Sequence, residues 1–502
     1  MTTAAIGTDR VPRLPLPSPL RRQAPISRSA HPAGRAGDRL LPARGRRNLG
    51  RYLVLLLLTF LVAGRPALAQ DDDAQVLRDT ETEAFFKDIS TPLAKAAGLD
   101  TSKVQVILLA DQSINAGATS GQLVGINAGT IFAADNVLEL QGVIAHEFGH
   151  LAGGHVPLSN DNYGKFGKIS LLSLLAGVAA IAAGAPEAGM AVMGAGTQVA
   201  QSGALAFSRA QEASADAAGA SYLRAAHLSG SGMLSFFGKL KVEEYRLSPA
   251  DEAINPFMQD HPMSADRQAT LEKDVTSSPY YKVPVDPALQ ARFLRIKAKL
   301  QGFLLDPTTV MRTFPERDQS VPAHYARAYA WHRSAYPDKA DQEADALLKT
   351  APLDPYFNEL KGQILLENGH PVQALVPLRI AVAQSSSAPL ISAMFGHALL
   401  ATDDPKNFAE AERVLKVSVD KDREDPLAWY ALGTVYAQRG DEAHAALATA
   451  ERYAMGGDDR LARQNAELAM RGIPEGSIDY LRAEDIAVTS RNNLDDKVRH
   501  RK

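Results

Sequence analysis

The sequence contains no cysteine. This absence excludes disulfides, thiolate nucleophiles, thiolate metal sites and a lipid anchor attached to cysteine. Any metal ion must therefore be bound by histidine and carboxylate side chains. Net charge is also low, because 54 lysine and arginine residues stand against 57 aspartate and glutamate residues. A general nucleic-acid binder carries a strongly basic domain, so we expect no nucleic-acid partner.

A long hydrophobic run is missing as well, since the strongest apolar stretch at the N-terminal end, 52–63, has only twelve residues. A transmembrane helix needs about 20. Eleven arginines precede this stretch, and the small-residue motif Ala67-Leu-Ala69 follows it. The pattern is typical of a secretory signal peptide that is cleaved after Ala69. An uncleaved anchor is the alternative, and a downstream start codon would shorten the long leader.

Pattern changes along the chain divide it into five parts. We expect an α+β, mainly α protein, in which strands over 103–110 and 123–126 form a small sheet between helices. The predicted parts are a basic leader with signal peptide (1–69), a mixed domain (70–273), a linker with a connecting helix (274–320), a repeat domain (321–475) and a C-terminal tail (476–502).

Glycines mark the repeats. Gly362 and Gly396 lie 34 residues apart, and Gly433 follows 37 residues later. A large side chain three positions after each glycine, and a small residue further on, recur with them. This is the tetratricopeptide pattern, in which small residues let the two helices of a unit cross closely. The spacing predicts three to four such units, the first of them degenerate.

Residues 169–206 are rich in alanine, glycine, leucine and methionine and carry few charges. Two helices of about 15 residues each, joined by a proline-glycine turn, fit this stretch, and each is short for a bilayer crossing. We expect a buried hairpin or one that touches a membrane surface. A transmembrane hairpin is the alternative.

The motif with the most chemical content is His146-Glu147-Phe-Gly-His150. On a helix, positions i and i+4 put both imidazoles on one face, where they can bind one zinc ion with Glu147 beside them. The apolar residues before His146 are those of a buried helix. The motif therefore predicts a metal site on that helix.

A third ligand must come from elsewhere in the sequence. The extended motif with a third histidine would need histidine at position 156, where this chain has Val156. A glutamate on a later helix is the alternative, and Glu212 is the candidate. Asp216 lies four residues further on the same face, where it can accept a hydrogen bond from a ligating imidazole. A solvated charged face that includes Arg209 is the plain structural alternative.

With these residues the sequence resembles the integral-membrane and periplasmic gluzincin family of the CAAX prenyl protease and the HtpX heat-shock protease. The resemblance covers about residues 75–305 and includes Ser208-Arg209 and the segment from His261 to Arg267. The signal peptide and the repeats resemble its subgroup of periplasmic β-barrel assembly-enhancing proteases. The fold so implied is a zincin-like metalloprotease domain followed by an α-helical tetratricopeptide array.

The resemblance implies one Zn²⁺ per chain, bound by His146, His150 and Glu212, with Glu147 as general base. Asp216 and Arg209 are then expected to support the ligands. His261 is expected either to stabilise the oxyanion or to bind zinc as a reversible latch, unless it only begins a helix. His155 is left open between packing and the edge of the site.

The function implied is that of a periplasmic zinc metalloendopeptidase for stalled outer-membrane β-barrel proteins, with an assembly role for productive ones. The repeats are expected to bind these clients or the β-barrel assembly machinery, and 169–206 is expected to reach a membrane surface. The alternative is a tetratricopeptide scaffold or chaperone whose protease domain is latched or silent.

Overall fold

A computed structural model of the protein describes residues 75–119, 121–155, 208–246, 261 and 264–499, which include the helix of the metal motif. These residues belong to one compact unit. The predicted leader, the 169–206 hairpin and position 156 lie outside the described residues. Within the described ranges, no helix is both long and apolar enough to cross a membrane.

The predicted fold class is confirmed, because one small sheet accompanies a fold made mainly of helices. The sheet has the order β1-β2-β4-β3, with β2 parallel to β4 and the outer strands antiparallel to their neighbours. Both strands expected from sequence are in its centre. The strands are β1 (Val76–Leu77), β2 (Gln105–Leu109), β3 (Ala116–Thr119) and β4 (Leu123–Asn127).

Helices pack on this sheet and on one another to enclose the first core. Side chains of Phe85, Phe86, Ile126, Val143 and Phe148 are fully buried in it. The helices are α1 (Thr80–Ala96), α2 (Ala128–Ala133), α3 (Val137–Ala152), α4 (208–225), α5 (Ser231–Arg246), α6 (Ala265–Thr276), α7 (Pro287–Leu304) and α8 (Pro307–Thr313).

The connecting helix expected within 274–320 is present as α7. It does not lie in a separate linker, because α7 is part of the first core through Phe293, Ile296 and Leu300. The same helix packs along the first helix of the repeats. Apolar residues at helical spacing give α7 one face that packs on the first core and another that packs on the repeats. The helix therefore joins the two regions instead of separating them.

The repeats form consecutive helix pairs from Val321 onward. Gly362 and Gly396 lie where the two helices of a pair meet, and a Cβ atom on either would come within 2.4 Å of Leu378 or Leu415, respectively. The helices are α9 (Val321–Arg333), α10 (Pro337–Thr350), α11 (Pro355–Glu367), α12 (Pro371–Gln384), α13 (Pro389–Ala401), α14 (Phe408–Lys421), α15 (Pro426–Gln438), α16 (Glu442–Met455), α17 (Asp459–Ala469) and α18 (Ile478–Arg499).

The array is longer than the sequence suggested. Five helix pairs take the place of three to four, and the expected tail, 476–502, contains α18. Ala483, Ile486 and Ala487 of α18 are buried against α16 and α17. The last pair lacks the repeat glycine, and its seam is closed mainly by alanines, which explains why the repeat pattern does not reveal it.

A buried cluster of charges joins the first core to the repeats. Lys299 of α7 is bonded to Asp79, the residue that caps α1, and lies 3.4 Å from Glu81. Glu81 also accepts a 2.8 Å hydrogen bond from the hydroxyl of Tyr325 in α9. Arg295 bridges Glu81 and Asp354, the latter at the start of α11. Buried charges persist only when each has a partner, so this cluster fixes how α1, α7 and the array pack.

Replacing Lys299 with methionine should therefore destabilise the protein strongly, because Asp79 would lose its cation and Glu81 would keep only Arg295. Removing one partner of a buried pair costs about 3–5 kcal/mol. The exposed pair Arg292–Asp88 offers the control. For Arg292→Met we expect a loss of about 0–1 kcal/mol. Urea denaturation of both variants gives the comparison, and equal losses would contradict the role of Lys299.

Candidate metal centre

The metal motif lies on α3, one of the most buried helices of the described chain. Asn136 caps its start by accepting a hydrogen bond from the backbone N–H of Glu139. Every residue from Val137 to His150 is buried. Because i and i+4 share a helix face, His146 and His150 point together, with their Nε2 atoms 3.1 Å apart.

Helix α4 brings the carboxylate to this face. Oε2 of Glu212 lies 3.4 Å from Nε2 of His146, and Oε1 lies 3.3 Å from Nε2 of His150. The approach depends on Gly149, since a Cβ atom there would meet the backbone oxygen of Ala215 at 2.6 Å. Gly219 faces the backbone of Ala145 in the same way. Small residues on both helices therefore allow the carboxylate to reach the imidazoles.

A third histidine completes the cluster. Nδ1 of His261 lies 3.2 Å from Nε2 of His146 and 3.1 Å from both carboxylate oxygens of Glu212. The ligand atoms of His146, His150, Glu212 and His261 all lie within 4.8 Å of one another, and all four residues are buried. The structure thus brings together the two motif histidines, the distant glutamate and the extra histidine expected from sequence.

The distances within the cluster fit a tetrahedral zinc site. With zinc–ligand bonds of about 2.0–2.1 Å, neighbouring ligand atoms of a tetrahedron are about 3.3 Å apart. Five of the six pairs among these four residues have ligand atoms 3.1 to 3.4 Å apart, with His146 and His150 facing different oxygens of Glu212. The remaining pair, His150 and His261, lies within 4.8 Å. The donor set, three imidazoles and one carboxylate, is one that zinc favours.

Charge gives a second test of fit. Glu147, Glu212 and Asp216 are buried and contribute −3, and buried Arg267 contributes +1. With neutral imidazoles the sum is −2, so a divalent cation would bring the centre to zero. Buried charge that is not compensated is costly, and the centre therefore suits a divalent cation.

The pKa values of His146 and Glu212 also indicate that the cluster attracts positive charge. Burial lowers the pKa of His146, but bonding to Asp216 and Glu212 outweighs it and raises that pKa to about 10. Burial raises the pKa of Glu212, yet His146, His150 and His261 hold it well below its usual range. Protons and a metal ion compete for the same imidazole nitrogens, so binding of a cation would release protons.

Asp216 lies behind the cluster. Its Oδ1 is 3.0 Å from Nδ1 of His146, which directs the Nδ1 proton to the carboxylate and leaves Nε2 free to bind a metal. Arg267 holds Asp216 through two bonds, 2.6 Å from Nε and 2.9 Å from Nη2. It also lies 3.2 Å from Glu212. Burial raises the pKa of Asp216, and His146 and Arg267 more than reverse this.

The structure differs from the sequence expectation in which arginine supports the proposed metal ligands. Arg209, expected to support the ligands, is exposed at the start of α4. Arg267 makes the ion pairs instead. Leu271 and Val275 follow it at helical spacing and are buried. That periodicity, which places Arg267 on the inner face of α6, is the signal that could have identified it from sequence.

Glu147 differs from the other carboxylates of the centre. Its side chain is buried, and among the described residues neither of its oxygens accepts a hydrogen bond. Nε2 of His261 lies 3.7 Å from its Oε1. A buried carboxylate that keeps both oxygens free beside a cluster of metal ligands is available to accept a proton.

His155 also lies at the centre, where its Nδ1 is 2.9 Å from Nδ1 of His150. Burial and the neighbouring His150 lower the pKa of His155. His227 lies elsewhere and stacks on Tyr280 with ring centroids 4.5 Å apart. Of His155 and His227, only His155 therefore touches a proposed ligand.

Comparison with known proteins confirms the resemblance drawn from these motifs. Residues 80–275 match the family model described as Peptidase family M48. A curated protein of Vibrio cholerae, "Putative beta-barrel assembly-enhancing protease", is 23% identical over 386 residues, which cover 76% of this chain and 78% of that protein. "Beta-barrel assembly-enhancing protease" of Yersinia pestis is 22% identical over 391 residues, with the same two shares.

Among solved structures, "Crystal structure of MamA" matches 34% of this chain and 96% of that chain. Its sequence identity is 20% and its TM-score is 0.26. A similarity of this size carries no argument about fold or function.

Gly149→Ala tests the contact that brings Glu212 to the histidines. The added methyl group would push α4 away, so we expect weaker zinc binding and a loss of about 1–3 kcal/mol in stability. Gly238→Ala is the matched control, because a Cβ atom there meets nothing within 4 Å. The control should stabilise the protein by at most about 1 kcal/mol. Zinc titration against a chelator and urea denaturation measure both effects, and unchanged zinc affinity in Gly149→Ala would contradict the packing argument.

Proposed function

We propose that this protein is an exported zinc metalloendopeptidase that acts on misassembled outer-membrane proteins. The observation that carries the proposal is the buried group of His146, His150, Glu212 and His261, whose ligand atoms lie within 4.8 Å of one another, inside the segment that matches a peptidase family. The geometry fits zinc, and the carboxylate beside it is free to accept a proton.

The proposed zinc ion would be held by His146, His150 and Glu212, as expected from the sequence. When bound, zinc supplies a Lewis acid and lowers the pKa of a water molecule toward about 7. Asp216 keeps His146 in the tautomer that presents Nε2, and Arg267 holds Asp216 in place. Through its contact with Glu212, Arg267 also restrains the carboxylate ligand.

Glu147 is the general base in this proposal. It lies next to ligand His146 in the chain, is buried, and has no competing hydrogen bond among the described residues. A carboxylate so placed can take a proton from the attacking water and return it to the leaving amine.

His261 occupies the fourth corner of the cluster, which a catalytic zinc site keeps for water or substrate. We therefore assign His261 to the latch instead of the oxyanion. In the latched form Nδ1 closes the site. Opening requires the imidazole to leave, and in the closed form its Nε2 lies 3.7 Å from Oε1 of Glu147.

The proposed clients and partners rest on the names of the relatives and on the repeats. Both curated relatives are named for enhancing β-barrel assembly. In this chain the repeats carry a cavity of about 190 Å³ lined by Trp429, Leu432, Tyr436 and Leu447, with Lys416 and Arg482 also in its wall. We propose that the array binds unfolded barrel proteins or the machinery that assembles them.

One alternative is favoured by a specific observation. Because His261 closes the cluster, the protein could act as a scaffold or chaperone whose protease domain stays latched. Both functions predict bound zinc, so metal content does not separate them. Proteolysis by a variant without the latch does.

Glu147→Gln should retain zinc and lose proteolysis by about 100- to 10,000-fold, the usual contribution of a general base. His261→Ala should cleave faster than wild type, because the fourth corner is open. The substrate is an unfolded outer-membrane β-barrel protein, and cleavage is followed by gel densitometry. A chelator should stop the reaction and added zinc should restore it. Arg209→Ala serves as the control and should cleave at the wild-type rate.

Cleavage that persists in both Glu147→Gln and zinc-free protein would contradict the metalloprotease proposal. Zinc-loaded wild type and His261→Ala that are both inactive would favour the scaffold. Faster cleavage by His261→Ala would show that the wild-type protease is latched and not already open.

Export predicts that the mature chain begins at Gln70. Expression in a Gram-negative host, followed by fractionation and N-terminal sequencing, measures this. The periplasmic fraction should hold the protein, and Ala69→Pro should block processing. A mature protein that still carries the arginine-rich leader would contradict cleavage after Ala69 and favour an uncleaved anchor.

A further inference from the structure

The ring of His155 packs against a proposed zinc ligand. Its Nδ1 lies 2.9 Å from Nδ1 of His150, with the two rings nearly perpendicular at 78°. Only 8% of His155 is exposed. Its backbone oxygen accepts a hydrogen bond from Gln211, the residue before ligand Glu212. His155 is thus held between α3 and α4, at the nitrogen of His150 that faces away from the cluster.

Two glycines make this contact available. Helix α3 ends at Gly153, where a Cβ atom would come within 2.5 Å of Nε2 of His155. Gly154 has a φ of +63°, a backbone conformation that other residues rarely adopt. The chain can therefore turn back immediately after the helix and place the imidazole over His150, five residues earlier.

The two nitrogens can bond only if one donates and the other accepts. His150 directs Nε2 to the cluster, and a ligating Nε2 carries no proton, so the proton of His150 sits on Nδ1. Nδ1 of His150 must then donate to the lone pair of Nδ1 in His155. We propose that His155 is a positioning residue, which fixes the tautomer and ring orientation of His150 by accepting this hydrogen bond.

His146 and His150 would then be supported by different chemistry. Nδ1 of His146 faces the carboxylate of Asp216, whereas Nδ1 of His150 faces the imidazole of His155. A neutral acceptor orients His150 without adding negative charge to a centre that already holds three carboxylates. The assignment rests on the proposed zinc centre and adds a residue to it that the metal motif does not contain.

Three replacements at position 155 separate hydrogen bonding from packing. His155→Phe keeps a flat ring and removes the acceptor, whereas His155→Asn places an amide oxygen close to where Nδ1 stands. His155→Leu is a second variant without an acceptor, in case phenylalanine is not accommodated. His227→Asn is the control, because His227 stacks on Tyr280 away from the cluster. Asparagine also tolerates the positive φ of position 227.

Zinc affinity of the full mature chain is measured by competition with a chromogenic chelator, and the cobalt-substituted forms are compared by their d–d absorption. Loss of a group that orients a ligand typically weakens metal binding by about 10- to 100-fold, which we expect for His155→Phe and His155→Leu. His155→Asn should stay within about threefold of wild type and keep its cobalt spectrum, as should His227→Asn.

Wild-type affinity in His155→Phe or His155→Leu would overturn the assignment while leaving the metal centre intact. Equal weakening by asparagine and phenylalanine would also overturn it, because a packing role would not distinguish an acceptor. Failure of wild type to bind zinc would overturn the proposed metal centre, and the role of His155 with it.

Discussion

The centre depends on how closely α3 and α4 approach. Glu212 reaches His146 and His150 because Gly149 and Gly219 leave no side chain between the two helices. The motif positions between the histidines are commonly regarded as free, but here one of them must be glycine. Helix packing and ligand geometry are therefore one constraint in this protein, since a methyl group that separates the helices also separates the carboxylate from the imidazoles.

Burial of charge follows from that approach. Once Glu212 and Asp216 are carried into a dry interface, they need cations, and Arg267 supplies one from α6. The same rule shapes the junction with the repeats, where Lys299 and Arg295 compensate Asp79 and Glu81. Both clusters tie together segments that are far apart in sequence. Each is sensitive to the loss of a single member, because the remaining charges cannot return to water.

Sequence predicts the elements that have strong periodicity or a specific motif. The helix of the zinc motif, the two central strands and the repeat glycines all carry such signals, and so does the pair Glu212 and Asp216. Strand β3 was missed because its residues, 116–119, are small and do not alternate, so only its pairing with β4 makes it a strand. The sequence predicts a tail where α18 lies, because the alanine seam of that helix lacks the repeat glycine. It predicts Arg209 in place of Arg267, because a motif does not show which arginine faces inward.

The position of His261 has a consequence for selectivity. If His261 is the proposed latch, its imidazole would compete for the metal ion as an intramolecular ligand, and such ligands reach effective concentrations of about millimolar. A freely diffusing peptide at micromolar concentration and of similar intrinsic affinity would then lose the competition. A client that is held beside the cluster by other contacts gains a comparable effective concentration and can displace the imidazole. Discrimination would then arise from residence time near the enzyme instead of from the sequence around the scissile bond.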